Sequence, residues 1–136
     1  TRQVLKWQLH RVIMNFEAND MKVLGAIVGG GKTFKNIRVT TRLDKDEQEK
    51  ILGFLDQSKL ITATEGTSFF GQAKYYFAAT DEGTKKVHEY IEELKGEWKK
   101  IIQFVTDGQR EELDEYMKQN KFLVNMMLFF KIINFF

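Results

Sequence analysis

Lys32, Lys35, Arg38 and Arg42 follow one another at spacings of three, three and four residues. On a helix over 33–42 this spacing predicts a single cationic face, because residues three and four apart are surface neighbours. No acid lies between Met21 and Leu43, so the face carries one sign of charge. A rigid row of cations matches the phosphates of a nucleic-acid strand, and each phosphate neutralised releases condensed counterions. Thr33, Thr40 and Thr41 add hydroxyls to the same segment. A charged stripe is usually just a solvated helix face. The single sign of this one favours an anionic partner.

A second pattern overlaps the first. Ala26-Ile27-Val28-Gly29-Gly30-Gly31-Lys32-Thr33 is a relaxed phosphate-loop pattern with Ala at its first glycine. Read that way, Lys32 would reach the terminal phosphates of a nucleotide, Thr33 would hold magnesium, and Asp56 would close an apolar run as a metal-binding acid. Such a P-loop-like nucleotide-binding protein needs a strand over Met21–Val28 and several parallel strands joined by helical crossovers. After residue 34 the sequence offers one hairpin and long helices instead, and the glycines serve equally well as a helix stop. Other catalytic chemistry is poorly supplied. The chain has no cysteine, which excludes disulfides, thiolate metal sites and thiol redox sensing. His10 and His88 stand in no spaced ligand cluster, and Glu92-Glu93 and Glu111-Glu112 read as solvated helix faces. No metal, no cofactor and no enzymatic activity are expected.

The elements that must position the cations follow from periodicity. The 136 residues are 43% hydrophobic with 12 Phe, enough for one core and about one domain. Proline is absent, which suits long helices. Val4, Leu5, Leu9, Val12, Ile13 and Phe16 form a helical stripe. Asn19 or Asp20 then offers an N-cap for a second helix, which Gly29-Gly30-Gly31 stops. Thr33 caps a short helix to about Thr41, and Asp44 with Glu47 resembles a capping box opening the next. Residues 60–64 and 73–79 are β-branched or aromatic around a turn-forming linker, a hairpin. Thr80-Asp81-Glu82-Gly83 starts a long helix, and residues 106–109 interrupt before a last one.

Charge is uneven along this order. Residues 1–43 hold eight Lys/Arg against Glu17 and Asp20, a net +6, whereas 80–119 hold seven against eleven acids, a net −4. Arg2, Lys6 and Arg11 interrupt the apolar runs at the amino end, so no secretory signal is expected there. The apolar stretch 122–136 is shorter than the ~20 residues of a spanning helix. No membrane partner is expected, and the location read from these features is cytoplasmic.

A three-helix unit followed by a β-hairpin is winged-helix order. Here the chain resembles the MarR-type transcriptional regulators across nearly its whole length. Residues Gly53 to Ile61 resemble the end of that family's reading helix and the strand after it, with Ser58-Lys59 in place of the usual Lys-Gly. Ala79-Thr80-Asp81-Glu82-Gly83 is similar to its Leu-Thr-Glu-x-Gly, and Thr106 to Leu113 to the opening of its last helix.

The fold implied is mainly α with a small β-hairpin wing, a winged helix-turn-helix flanked by N- and C-terminal dimerisation helices. As a single domain it divides into dimerisation helices over 1–17 and 106–136, the winged unit over 20–80 and a connecting helix over 81–105. The function implied is a homodimeric regulator binding double-stranded DNA. Leu5, Leu9, Val12, Leu123, Met127 and Phe130 are the expected interface. Lys32, Thr33, Lys35, Arg38, Thr41 and Arg42 would hold the backbone, Lys45, Gln48 and Lys50 would approach bases, and Lys74 would act from the wing. The resemblance also leaves room for a small-molecule effector, which no residue identifies. One pattern opposes DNA: Asp44, Asp46, Glu47 and Glu49 crowd the start of the reading helix, where like charges face phosphates. With Phe69-Phe70 near the wing tip, it favours the alternative of a winged-helix protein-interaction module without sequence-specific DNA reading.

Overall fold

The computed structural model describes residues 18–67 and 73–131. Leu5, Leu9 and Val12 therefore lie outside the described residues. Those described form six helices and one antiparallel hairpin, the winged-helix class expected. They fall into two compact units that meet at Val87 and His88.

In the first unit, helix α1 is already formed at residue 18 and runs to 28. Asn19 and Asp20 thus sit inside the helix and are not its cap. Met21, Val23, Leu24, Ala26 and Ile27 are buried along it. Its end is set by backbone geometry. Gly30 adopts a left-handed φ of 113°, so that its N–H bonds the Ile27 carbonyl at 3.0 Å and the Gly31 N–H bonds that of Ala26 at 2.8 Å. These paired bonds satisfy carbonyls that a helix end leaves open. The glycines therefore stop a helix, and the segment before them is no strand. With Asp56 inside a helix as well, the phosphate-loop reading loses its strand–loop–helix frame.

Helix α2 spans Phe34–Thr41 and α3 spans Lys45–Gln57. Thr33 caps α2 as expected, its Oγ1 accepting from the Asn36 N–H at 3.2 Å. Asp44 holds the N-cap position of α3 but makes no side-chain capping bond, and Glu47 instead accepts from Asn19 Nδ2 at 2.5 Å. The expected capping box is replaced by a tie between α3 and α1. Helix α2 is capped by Arg42 in the left-handed region at φ 58°, whereas α3 is capped by Ser58 and the left-handed residue, Lys59 at φ 60°, follows it.

Strands β1 (Ile61–Thr67) and β2 (Ala73–Ala79) pair in register from Ile61 opposite Ala79 to Thr67 opposite Ala73. The segment before α2 is tied to β2 by one bond, from the Phe77 N–H to the Lys32 carbonyl at 2.8 Å. Helix α4 spans Asp81–Thr106. Thr80 joins it to the hairpin: its Oγ1 accepts from the Gly83 N–H at 3.1 Å and donates to the Lys59 carbonyl at 2.8 Å. Gly83 is needed there. A Cβ on it would collide with the Leu60 carbonyl oxygen. The Thr-Asp-Glu-Gly run is thus a cap plus a close backbone crossing.

In the second unit, the expected last helix is two, α5 (Arg110–Gln119) and α6 (Lys121–Phe129). Asn120 breaks it: its backbone N–H and its Nδ2 both donate to the Tyr116 carbonyl at 2.9 Å, the local competition that disfavours Asn inside helices. Tyr116 also donates from its hydroxyl to Glu97 Oε2 at 2.5 Å, joining α5 to α4, while Lys100 pairs with Glu97 Oε1 at 3.0 Å. These two hydrogen bonds hold the Glu97 carboxyl below its ordinary range. Burial and the same contact push the Tyr116 hydroxyl up. Tyr90 meets Phe130 edge-on with ring centres 5.8 Å apart. Met126 and Met127 are buried within the chain, so Met127 is not the free interface residue expected, while Leu123 and Phe130 are half-buried. No helix of the described residues is long and apolar enough to cross a membrane.

Candidate nucleic-acid interface

The ten residues expected at DNA separate into three groups. Thr41 and Gln48 are buried and serve the fold. Thr41 Oγ1 donates to Gln48 Oε1 at 2.9 Å, and Gln48 Nε2 donates to the Phe34 carbonyl at 3.0 Å. This clamp locks α3 against both ends of α2. A fully buried amide bonded through both its oxygen and its nitrogen contributes to stability and cannot reach a base edge. Both residues leave the candidate set for that reason.

The second group is displaced from where the spacing predicted it. Helix α2 begins only at Phe34, so Lys32 precedes it, and Arg42 follows it as the left-handed cap. The four cations therefore do not share one helical face. Arg38 turns its Nε to the Leu43 carbonyl at 3.2 Å, bracing its own helix end. Thr33 is occupied as the cap. Helix α2 exposes Lys35, Asn36, Arg38, Val39 and Thr40, with Val39 70% exposed.

The third group is exposed and well placed. Lys45 and Lys50 are exposed on α3, and Lys74 is exposed on β2, its Nζ lying 5.8 Å from the Tyr76 ring centre. That separation is within cation–π range. Tyr76 lies over Gly66 of the neighbouring strand, where a Cβ would come within 2.7 Å of the ring. Lys74, Tyr75 and Phe77 of β2, Lys35 and Asn36 of α2, and Glu49 of α3 border one open groove of about 790 Å³. Two cations thus face it from different elements.

The burial pattern of α3 fixes its outer face. Gln48, Ile51, Leu52 and Leu55 are buried, and at about 100° per residue the opposite line is Asp46, Lys50, Gly53 and Gln57. Gln57 on this line was missed by sequence reasoning, which looked for bases near the helix start only. A buried stripe inferred from Ile51, Leu52 and Leu55 would have found it. Of the four acids at the start, Glu47 is already engaged with Asn19. Among the described residues no group of three His, Cys, Asp or Glu stands close enough to hold a metal.

An outward-facing α3 carried by α1 and α2, with a hairpin beside it, defines a winged helix-turn-helix. Solved structures share it. A variant of ZitR from Lactococcus lactis matches over 87% of this chain and 92% of its own, at TM-score 0.59 and 11% identity. A variant of MepR from a multidrug-resistant S. aureus clinical isolate matches over 93% and 91%, at TM-score 0.50 and 19% identity. NMB1585, a MarR family regulator from Neisseria meningitidis, matches over 93% and 89%, at TM-score 0.49 and 19% identity. No protein-family model and no curated protein matches the chain. The chain shares the winged-helix fold of the ZitR and MepR structures.

Proposed function

We propose that the chain is a winged-helix transcriptional regulator that binds double-stranded DNA as a homodimer in the cytoplasm, without catalysis. The observation that carries this reading is the pair Lys35 and Lys74. They reach one groove beside α3 from α2 and from the hairpin, and neither is ion-paired among the described residues. In a winged helix the strand between the major and minor grooves runs between the inserted helix and the wing, so cations on both sides meet its phosphates. Lys32, Arg38, Arg42 and Lys45 extend the same electrostatic footprint, and Lys50 approaches bases.

Dimerisation rests on the second unit, where Ile102, Val105, Met117, Phe122 and Leu128 remain exposed. Apolar side chains left open on several helices of one unit mark an interface. Light scattering should give twice the chain mass; a monomer at micromolar concentration would remove this part. For DNA, Lys35→Glu combined with Lys74→Glu should abolish retardation of a mixed-sequence duplex at low salt. Unchanged retardation would refute the reading.

A second reading has its own observation. Asp44, Asp46, Glu49 and Asp56 are exposed on α3 and Tyr75 and Tyr76 on β2, a surface suited to a basic protein partner. It predicts partner binding that survives the same two substitutions.

A further inference from the structure

The groove bordered by α2, α3 and the hairpin has a floor that the DNA reading leaves unused. Phe34 of α2 and Phe77 of β2 are half-buried there, Leu52 of α3 is buried, and Tyr75 is exposed beside them. Tyr75 and Phe77 stand two apart on β2, so they share one face of the hairpin. A phosphate gains nothing from such a floor, and Glu49 at its edge repels one. The volume of about 790 Å³ lies in the range of small-molecule sites, which join apolar walls to a few polar groups.

Those polar groups describe what the molecule carries. Neither Lys35 nor Glu49 is ion-paired among the described residues. Asn36 Oδ1 accepts from the Thr33 hydroxyl at 2.7 Å, which leaves the Asn36 amino group to donate. Lys35 and Asn36 thus offer donors from α2, with Lys74 at the rim, and Glu49 offers two acceptor oxygens from α3. The complement is a flat aromatic body with an anion at one end and paired N–H donors at the other.

Any base can stack on aromatic side chains, so the paired donors decide which base fits. Guanine presents its N1–H and its 2-amino group side by side, and a carboxylate accepts from both; adenine turns an acceptor to the same place. We propose that this groove is a binding site for a guanine mononucleotide. The base lies against Phe34, Tyr75 and Phe77, Glu49 takes the N1–H and amino edge, and Lys35 takes the phosphate. This goes beyond the DNA reading and does not depend on it, since it needs only the groove of one chain.

The test is calorimetric titration of the full chain with the 5′-monophosphates of guanosine, inosine and adenosine, and with inorganic phosphate. The expected order of affinity is guanosine, then inosine, which lacks the 2-amino group, then adenosine monophosphate. Glu49→Gln separates base reading from charge. It should weaken guanosine monophosphate about tenfold or more and erase its advantage over the inosine nucleotide, although losing a negative charge favours every phosphate. Lys35→Gln should weaken all three nucleotides alike, and Tyr75→Ala should cost each about fivefold or more. The three replaced side chains are exposed, so an unchanged melting temperature should accompany each loss. Equal binding of all four probes, or tighter guanosine monophosphate binding by Glu49→Gln, would make the groove a plain cationic surface and overturn the proposal. No binding of guanosine monophosphate at millimolar concentration would overturn it too. A duplex still retained by that same chain would leave the DNA reading standing.

Discussion

Helices α2 and α3 are successive and share one buried clamp, yet they show different residues to solvent. Helix α2 exposes Lys35, Asn36, Arg38, Val39 and Thr40; outward from α3 stand Asp46, Lys50, Gly53 and Gln57. In both, several polar residues that looked available have partners within the fold. Thr41 and Gln48 bond each other, Arg38 braces its own helix end and Glu47 ties α3 to α1. Composition near a helix start therefore overstates what a partner meets. Under the proposed function, α2 and the hairpin would supply charge for affinity.

Removing the clamp is the strongest way to break the comparison. Gln48→Ala deletes two buried hydrogen bonds and leaves a space, so unfolding by denaturant should show a loss of about 2–3 kcal/mol. Thr41→Val keeps the shape and removes one partner of the Gln48 amide. Its cost should be about 1 kcal/mol by the same titration. The helix ends sharpen the comparison in the other direction. Lys59 occupies a left-handed position that costs a side-chain-bearing residue about 1–2 kcal/mol. Lys59→Gly should raise stability by up to about 1 kcal/mol and leave DNA binding unchanged, whereas Arg42→Gly should gain similarly and weaken binding.

The smallest effect serves as a control outside this pair. Glu97 is held below its ordinary value of 4.5 by Tyr116 first and Lys100 second. A lowered carboxyl contributes stability above its unfolded pKa and loses it as pH falls through the folded one. Acid below the ordinary value of 4.5 should therefore loosen the contact of α4 with α5, seen as a change in Tyr116 emission. Tyr116→Phe should reduce that acid step, leaving the Lys100 contribution, at a cost of about 1 kcal/mol or less, because the contact is partly exposed.

Much of this architecture was legible in the sequence because its signals are local. Thr33 as a cap, the glycine stop, the hairpin and the start of α4 at Thr80 all depend on a few adjacent residues. What escaped depends on partners distant in sequence. Nothing near Gln48 reveals that Phe34, fourteen residues earlier, supplies its acceptor, and nothing near Glu47 reveals Asn19. The four-cation stripe failed because a helix of eight residues is too short to hold residues 32 to 42. Asn120 was readable in principle, since Asn competes with helical backbone, but apolar periodicity on both sides masked it.

The central claim is that cations of two separate elements grip one DNA strand beside α3. Its most direct test is the salt dependence of duplex affinity for the parent chain and for Lys35→Gln combined with Lys74→Gln. Each lost phosphate contact should reduce the slope of log affinity against log salt by about 0.9, so the double variant should lose about 1.8. Identical slopes, or no binding by the parent chain at low salt, would contradict the account.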